Sequence, residues 1–237
     1  MTVYTVKPNS PQSNSNVYIL QGEVENPIAD AEVFVSPIGG ALPQFPSDAG
    51  ELLYVFSTDA ADIGLVRISG LDENFEAISE TVKLEGLTPV ATTSLFTRVN
   101  LTEWYDAGGC VGTVDVTDAT GIPVFSRVLP EVQQSTDGAI SFPANHVAQV
   151  LDVYGGVIRT SNAQAVAYVN LYSLQRGQVP RREFRFSVLS NGSSHVDYGN
   201  SLPRSSQGHF DLFVTCEVDS AGMGLLTRIA SFVEKKL

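Results

Sequence analysis

The chain has 237 residues, of which 43% are hydrophobic and 17% charged, and its formal net charge at pH 7 is −12. This is enough apolar material for one large core or two smaller ones, and it lies far from the charged, aromatic-poor signature of a disordered chain. The acidic balance argues against a surface built to hold a phosphate backbone, which needs clustered Lys and Arg, so no direct nucleic-acid partner is expected.

The charge is unevenly placed. Through Arg127 there are 17 acidic and 5 basic residues, and from Val128 onward there are 9 of each. The acidic half reads as a solvated, self-repelling surface. The neutral half, with the group Arg181, Arg182 and Arg185, reads either as an ordinary solvated surface whose basic edge discourages unwanted strand pairing or as the side that meets protein partners. The opening stretch has neither the basic start nor the apolar run of an export signal. The apolar stretches 147–157 and 225–233 are interrupted by Gln149, Asp152 or Arg228 and are too short to cross a bilayer, so no membrane partner is expected. Cys110 and Cys216 stand far apart and each is alone, which predicts buried free thiols rather than a disulfide or a zinc site.

Residues 7–16 are Pro, Ser and Asn with almost no apolar member, and residues 1–16 are expected to form a flexible arm. Short runs rich in β-branched and aromatic residues follow at 17–20, 31–36, 52–57, 64–69, 77–84, 93–101 and 111–116. They are separated by Asn26-Pro27, Gly39-Gly40, Gly70-Leu71-Asp72-Glu73-Asn74 and Gly108-Gly109. A spacing of about ten residues between such runs is the signature of an all-β chain. In 77–85 the residues Ile78, Val82 and Leu84 share one face with Glu80 as the exception, while Ser79, Thr81, Lys83 and Glu85 share the other.

The second half continues in the same style, with predicted strands at 149–158, 164–173, 183–189, 209–218 and 222–233; residues 144–150 suit either a strand or a helix. Turns are predicted at 160–162, 176–180 and 190–194. In 182–189, Phe184, Phe186 and Val188 face one way and Arg185, Ser187 and Leu189 the other, which points the guanidinium of Arg185 away from the core. The expected architecture is all-β, a β-sandwich or jelly roll in two packed β units: an acidic unit at 17–127 and a second at 128–237, with the boundary near 121–134.

Catalytic patterns are missing: there is no Gly-x-Ser-x-Gly elbow, no phosphate-cradling loop and no dinucleotide fingerprint. His146, His195 and His209 share no ligand spacing, so no metal, cofactor or catalytic residue is assigned. Asp115 with Asp118, Asp59 with Asp62, and Asp72 with Glu73 loosely resemble oxygen-rich calcium loops but lack the full pattern, and they read as turn residues. Tyr54, Trp104, Tyr105, Tyr154, Tyr172 and Tyr198 could line a sugar groove, and an acidic β-protein always offers carboxylate pairs. A carbohydrate-binding or carbohydrate-active protein therefore stands as the alternative from another class.

The segment 66–100 contains Gly70-Leu71-Asp72-Glu73-Asn74, Ile78-Ser79-Glu80-Thr81-Val82, Leu84-Glu85-Gly86 and Phe96-Thr97-Arg98-Val99-Asn100. It resembles a segment of structural virion proteins of tailed bacteriophages, especially those of aquatic hosts, and its turns and alternation suit a sheet meander. A looser likeness covers Phe142-Pro143-Ala144-Asn145-His146, where Asn145 stands in place of that family's glycine. The resemblance implies a non-catalytic subunit located in the virion, in the first instance a capsid decoration or cement protein. The alternatives are a tail, head-tail connector or host-recognition component. The implied partners are copies of itself, with a trimer favoured, and other virion proteins such as the major capsid protein. Arg181, Arg182 and Arg185 are the candidate contact residues.

Overall fold

The computed structural model describes residues 15–25, 27, 29, 31–143, 146–159, 166–189, 193–197, 203–205, 209–219 and 224–235. The expected arm through residue 14 and the turn at 160–162 lie outside the described residues, as do the turn residues 190–192 and the pair Ala144 and Asn145. Ser15 and Asn16, assigned to the arm from sequence, are instead hydrogen-bonded in the first strand, opposite Glu234 and Val233.

Every regular element among the described residues is a strand. In chain order they are β1 (Ser15–Glu25), β2 (Glu32–Phe34), β3 (Glu51–Ser57), β4 (Leu65–Leu71), β5 (Ala77–Lys83), β6 (Val90–Phe96), β7 (Arg98–Trp104), β8 (Val114–Thr117) and β9 (Val124–Val128). There follow β10 (Ala139–Phe142), β11 (His146–Arg159), β12 (Val166–Gln175), β13 (Arg181–Leu189), β14 (Ser193–Asp197), β15 (Pro203–Ser205), β16 (Phe210–Val218) and β17 (Gly224–Lys235). The ambiguous stretch around 146–150 is strand, because β11 pairs there with both β17 and β15.

The chain forms two units, one from residues 1–42 with 138–237 and one from 43–137. This division differs from a boundary near 127. Residues 129–137, expected in the unit 128–237, stay with 43–137, where the Trp104 amide donates to the Gln133 carbonyl and the Ser135 amide to the Thr102 carbonyl, each at 2.8 Å. β1 and β2, expected in the acidic unit, pair instead with β17 and β16 of the other unit. The partner of β1 is the distant β17, a pairing that no local pattern announces.

In the first unit one sheet has the order β1-β17-β11-β14, with β15 also on β11, and the other has the order β10-β16-β12-β13, with β2 also on β16. Taking the eight principal strands β1, β10, β11, β12, β13, β14, β16 and β17 as first to eighth, the sheets read 1-8-3-6 and 2-7-4-5. That interleaving is a jelly roll, in which the first and last strands lie side by side and no sheet is built from consecutive strands alone. Its core takes alternate residues from both sheets: Val24, Val153 and Leu225 from one, and Ile140, Phe142, Val169, Leu171, Val188, Leu212, Val214 and Cys216 from the other.

The second unit is inserted between the first and second of those strands. Its sheets are β6-β3-β8-β9 and β5-β4-β7, closed on a separate core that includes Leu53, Val55, Val66, Ile68, Val82, Leu84, Phe96, Val114 and Val116. The alternation expected in β5 is present, with Val82 and Leu84 buried and Ser79, Thr81, Lys83 and Glu85 exposed. The expected meander over 66–100 is not: β5 pairs with β4, but β6 pairs with β3 in the other sheet. The run 93–101, which reads as one strand, divides at Thr97 into β6 and β7 of different sheets. The β4–β5 turn also sits two residues later than expected, because the Asp72 side chain gathers the amides of Asn74 and Glu76 at 2.8 and 2.9 Å and so fixes the bend at 72–76.

Candidate partner-contact face

β13 is the last strand in its sheet order, and its side chains alternate as the sequence indicates. Phe184 and Phe186 pack against the jelly-roll core, Val188 is buried, and Arg185, Ser187 and Leu189 are exposed. A bulge opposite Leu171 and Tyr172 shifts the pairing, so that Arg182 faces Tyr172 and Arg181 faces Ser173 across β12. The structure thus brings the three candidate arginines to one strand, all exposed, but gives them different surroundings. The Arg185 guanidinium stacks over the Tyr168 ring at 4.1 Å and donates to Glu217 Oε2 at 2.9 Å. Arg182 donates to the Tyr172 phenol.

These contacts belong to a row of polar residues on the sheet face turned away from the jelly-roll core. Asn170 is fully buried and donates through Nδ2 to Glu32 Oε1 at 3.2 Å and to Thr215 Oγ1 at 3.3 Å, while the Thr215 hydroxyl donates to the same Glu32 oxygen. Burial, and then the hydrogen bond to Glu32, push the Tyr172 phenol above its ordinary value, against the opposing effect of Arg182. Beside this row lies an apolar group, Phe34, Ala139 and Phe213, with Tyr172 and Leu174 packed on it and the Tyr172 and Phe213 rings stacked at 5.3 Å. The face therefore runs from an apolar end and a polar centre, both already buried within the chain, to an exposed basic edge, which is the part open to a partner. The basic edge was legible in the sequence. Glu32, Asn170, Thr215, Tyr168 and Glu217 were not singled out, although Asn170 and Thr215 interrupt otherwise apolar strands at positions out of phase with the core, which is the signal that would have found them.

Of the candidate calcium-loop carboxylates, Asp59, Asp62, Asp72, Asp115 and Asp118 are engaged by the chain itself. Asp115 holds Arg127. Asp118 accepts from the Thr120 amide and hydroxyl and the Ile122 amide. Asp62, 2% exposed, accepts from the Ser57 hydroxyl at 2.5 Å and from the Val111 and Gly112 amides at 2.8 and 2.9 Å. Burial alone would raise the Asp62 pKa, but those three donors outweigh it and hold the carboxyl below its usual range. The aromatic candidates are divided, with Tyr54, Trp104 and Tyr105 in the inserted unit and Tyr154 and Tyr172 in the jelly roll; Tyr198 lies outside the described residues.

No protein-family profile and no curated protein matches the sequence. Among solved structures, the chain is similar to a chain of cowpea mosaic virus empty virus-like particles, at 10% identity and a TM-score of 0.25 over 80% of this chain and 81% of that one. It is similar at 10% identity and a TM-score of 0.18 to the infectious bursal disease virus VP2 subviral particle, over 98% of this chain and 80% of that one. Likeness at this level says nothing about what the chain does, and the fold assignment stands on the strand order alone.

Proposed function

We propose that the chain is a non-catalytic structural subunit of a virion, presented in many copies and in contact with its own kind, most simply as a capsid decoration or cement protein. The observation that carries this reading is the 1-8-3-6 and 2-7-4-5 strand order, the jelly roll from which viral capsid domains, among others, are built. The resemblance of residues 66–100 to tailed-phage virion proteins supports it, as does a sheet face whose edge carries exposed arginines. Arginine suits contacts because its planar fork pairs with carboxylates and is weakly hydrated. Many weak contacts on a repeating lattice add up through avidity, which is how a small subunit of this kind holds a shell.

The test is quantitative mass spectrometry and cryo-electron microscopy of purified particles from the source. The reading expects this chain in high copy number, with density for a jelly roll and its inserted sandwich repeated over the shell. Density confined to a single vertex or a fibre would reassign it to a connector or host-recognition component. Its absence from particles would overturn a virion role.

A further inference from the structure

The inserted sandwich ends in three loops that Asp62 ties together. Its carboxylate holds the Val111 and Gly112 amides and its carbonyl accepts from the Gly86 amide at 2.9 Å. One residue from each of those loops lies at or beside these bonds and is turned to solvent: Ile63 is 62% exposed, Leu87 58% and Val111 61%. Tyr105 and Leu65, joined by a backbone hydrogen bond at the same end, are exposed as well. The chain enters this unit at its opposite end, where Phe45 and Asp48 lie against Arg98. The loop end is therefore a tip of this unit's own sandwich, opposite to where the chain enters it. Around its apolar centre stand Asp59, Glu85, Asp106 and Glu131, with two basic residues, Lys83 and an Arg67 whose guanidinium lies over the Tyr105 ring at 5.1 Å and is paired with Glu103. An apolar centre pinned by a buried carboxylate and rimmed by acid is a docking surface for an aliphatic group carried among cations.

This chain carries such a group. The turn between β12 and β13 presents Val179, 82% exposed, between Arg176 and the pair Arg181 and Arg182. We infer that the acidic loop tip of the inserted sandwich docks the β12–β13 turn of a second copy, with Val179 seated on the Ile63, Leu87 and Val111 group and the arginines facing Glu85, Asp106 and their neighbours. The contact is head to tail, because the two surfaces differ, and repeating it closes a ring or extends a lattice. The inference deepens the virion reading and rests on it for the high local concentration of copies. The charge complementarity stands independently: residues 43–137 hold 15 acidic and 4 basic side chains, the rest of the chain 11 and 10.

The experiment uses the full chain in two charge-reversed forms, Arg181→Glu with Arg182→Glu, and Glu85→Lys with Asp106→Lys, with circular dichroism melts to show that both are folded. Sedimentation velocity over a concentration series should show the self-association Kd of each variant raised about tenfold or more, while an equimolar mixture of the two binds within about threefold of wild type, since each now carries what the other lost. Added salt should weaken the wild-type contact, and Ile63→Asp should weaken it without rescue by either variant. A wild-type chain that stays monomeric, variants that associate like wild type, or a mixture that fails to recover would each overturn the inference. If only the Glu85 and Asp106 variant loses binding to particles, the tip serves a different, basic protein. Rescue in the mixture combined with absence of the chain from particles would refute the virion reading and leave the contact standing; the reverse pattern would do the opposite.

Discussion

A carboxylate placed among the inward side chains of a strand must find donors, and Glu80 finds them on another sheet. From β5 it reaches the Thr93 amide at 2.7 Å, the Thr93 hydroxyl at 3.1 Å and the Ser94 amide at 2.9 Å, all on β6. The exception in the alternation of β5 is thus a polar tie between the two sheets of the inserted unit. Burial would raise its pKa, yet the two amides and two hydroxyls outweigh that and lower it from 4.5. Since the folded value is the lower one, the tie stabilises fully above 4.5, and the contribution is lost as pH falls through the folded value. Glu80→Gln should therefore cost about 1–2 kcal/mol at neutral pH in urea unfolding, and the difference from wild type should vanish in acid. The thiols behave in the opposite sense. Burial, with some help from neighbouring carboxylates, pushes Cys216 up to about 12 and Cys110 up to about 11. Neither should react with a disulfide reagent at neutral pH until the chain unfolds. Because the folded values are raised, their contribution is complete below the ordinary 9.0 and is lost as pH climbs toward the folded values. Denaturation midpoints measured across that alkaline window should fall.

Among the elements, the passage from β6 to β7 is the most constrained. At Thr97 the chain leaves one sheet for the other, held by its amide and hydroxyl on Leu71 and Asp72 carbonyl oxygens, each at 2.8 Å. Arg98, 4% exposed, bonds to Asp48 at 2.9 Å, and its guanidinium lies over Phe45 at 4.6 Å. The close approach requires glycine at position 70, because a Cβ there would lie 1.9 Å from the Arg98 carbonyl oxygen. Gly70→Ala should cost about 3 kcal/mol, read as a shift in the urea midpoint, since the obstacle is backbone and cannot rotate away. None of this was legible. Phe96-Thr97-Arg98-Val99-Asn100 contains no Gly or Pro, so a sheet switch reads as an unbroken strand. What was legible had a local cause: Arg185 faces away from the core because its neighbours Phe184 and Phe186 face toward it. Its partners Tyr168 and Glu217 come from strands that reach it only through the sheet order, and that order depends on contacts distant in sequence.

At the scale of the molecule, two cores close separately and the chain connects the units only through 42–43 and 137–138. Calorimetry should therefore resolve two transitions. The one belonging to the acidic unit should rise with added salt, which screens the repulsion among its 15 acidic residues. A single transition indifferent to salt would contradict this. The interleaved jelly roll also sets a timetable for synthesis. Gly22 and Thr227, joined across β1 and β17, are 205 positions apart, so a ribosome adding residues in sequence needs about 10–40 s between the first of these strands and its partner. All seven strands of the inserted unit emerge in that interval and can pair among themselves, while β1 still waits for β17. A nascent chain stopped before Gly224 thus carries a finished acidic sandwich between two open β edges, on β1 and β11, each a template for a neighbouring nascent chain. On a polysome the emergence of β17 is what separates a closed jelly roll from an entangled one.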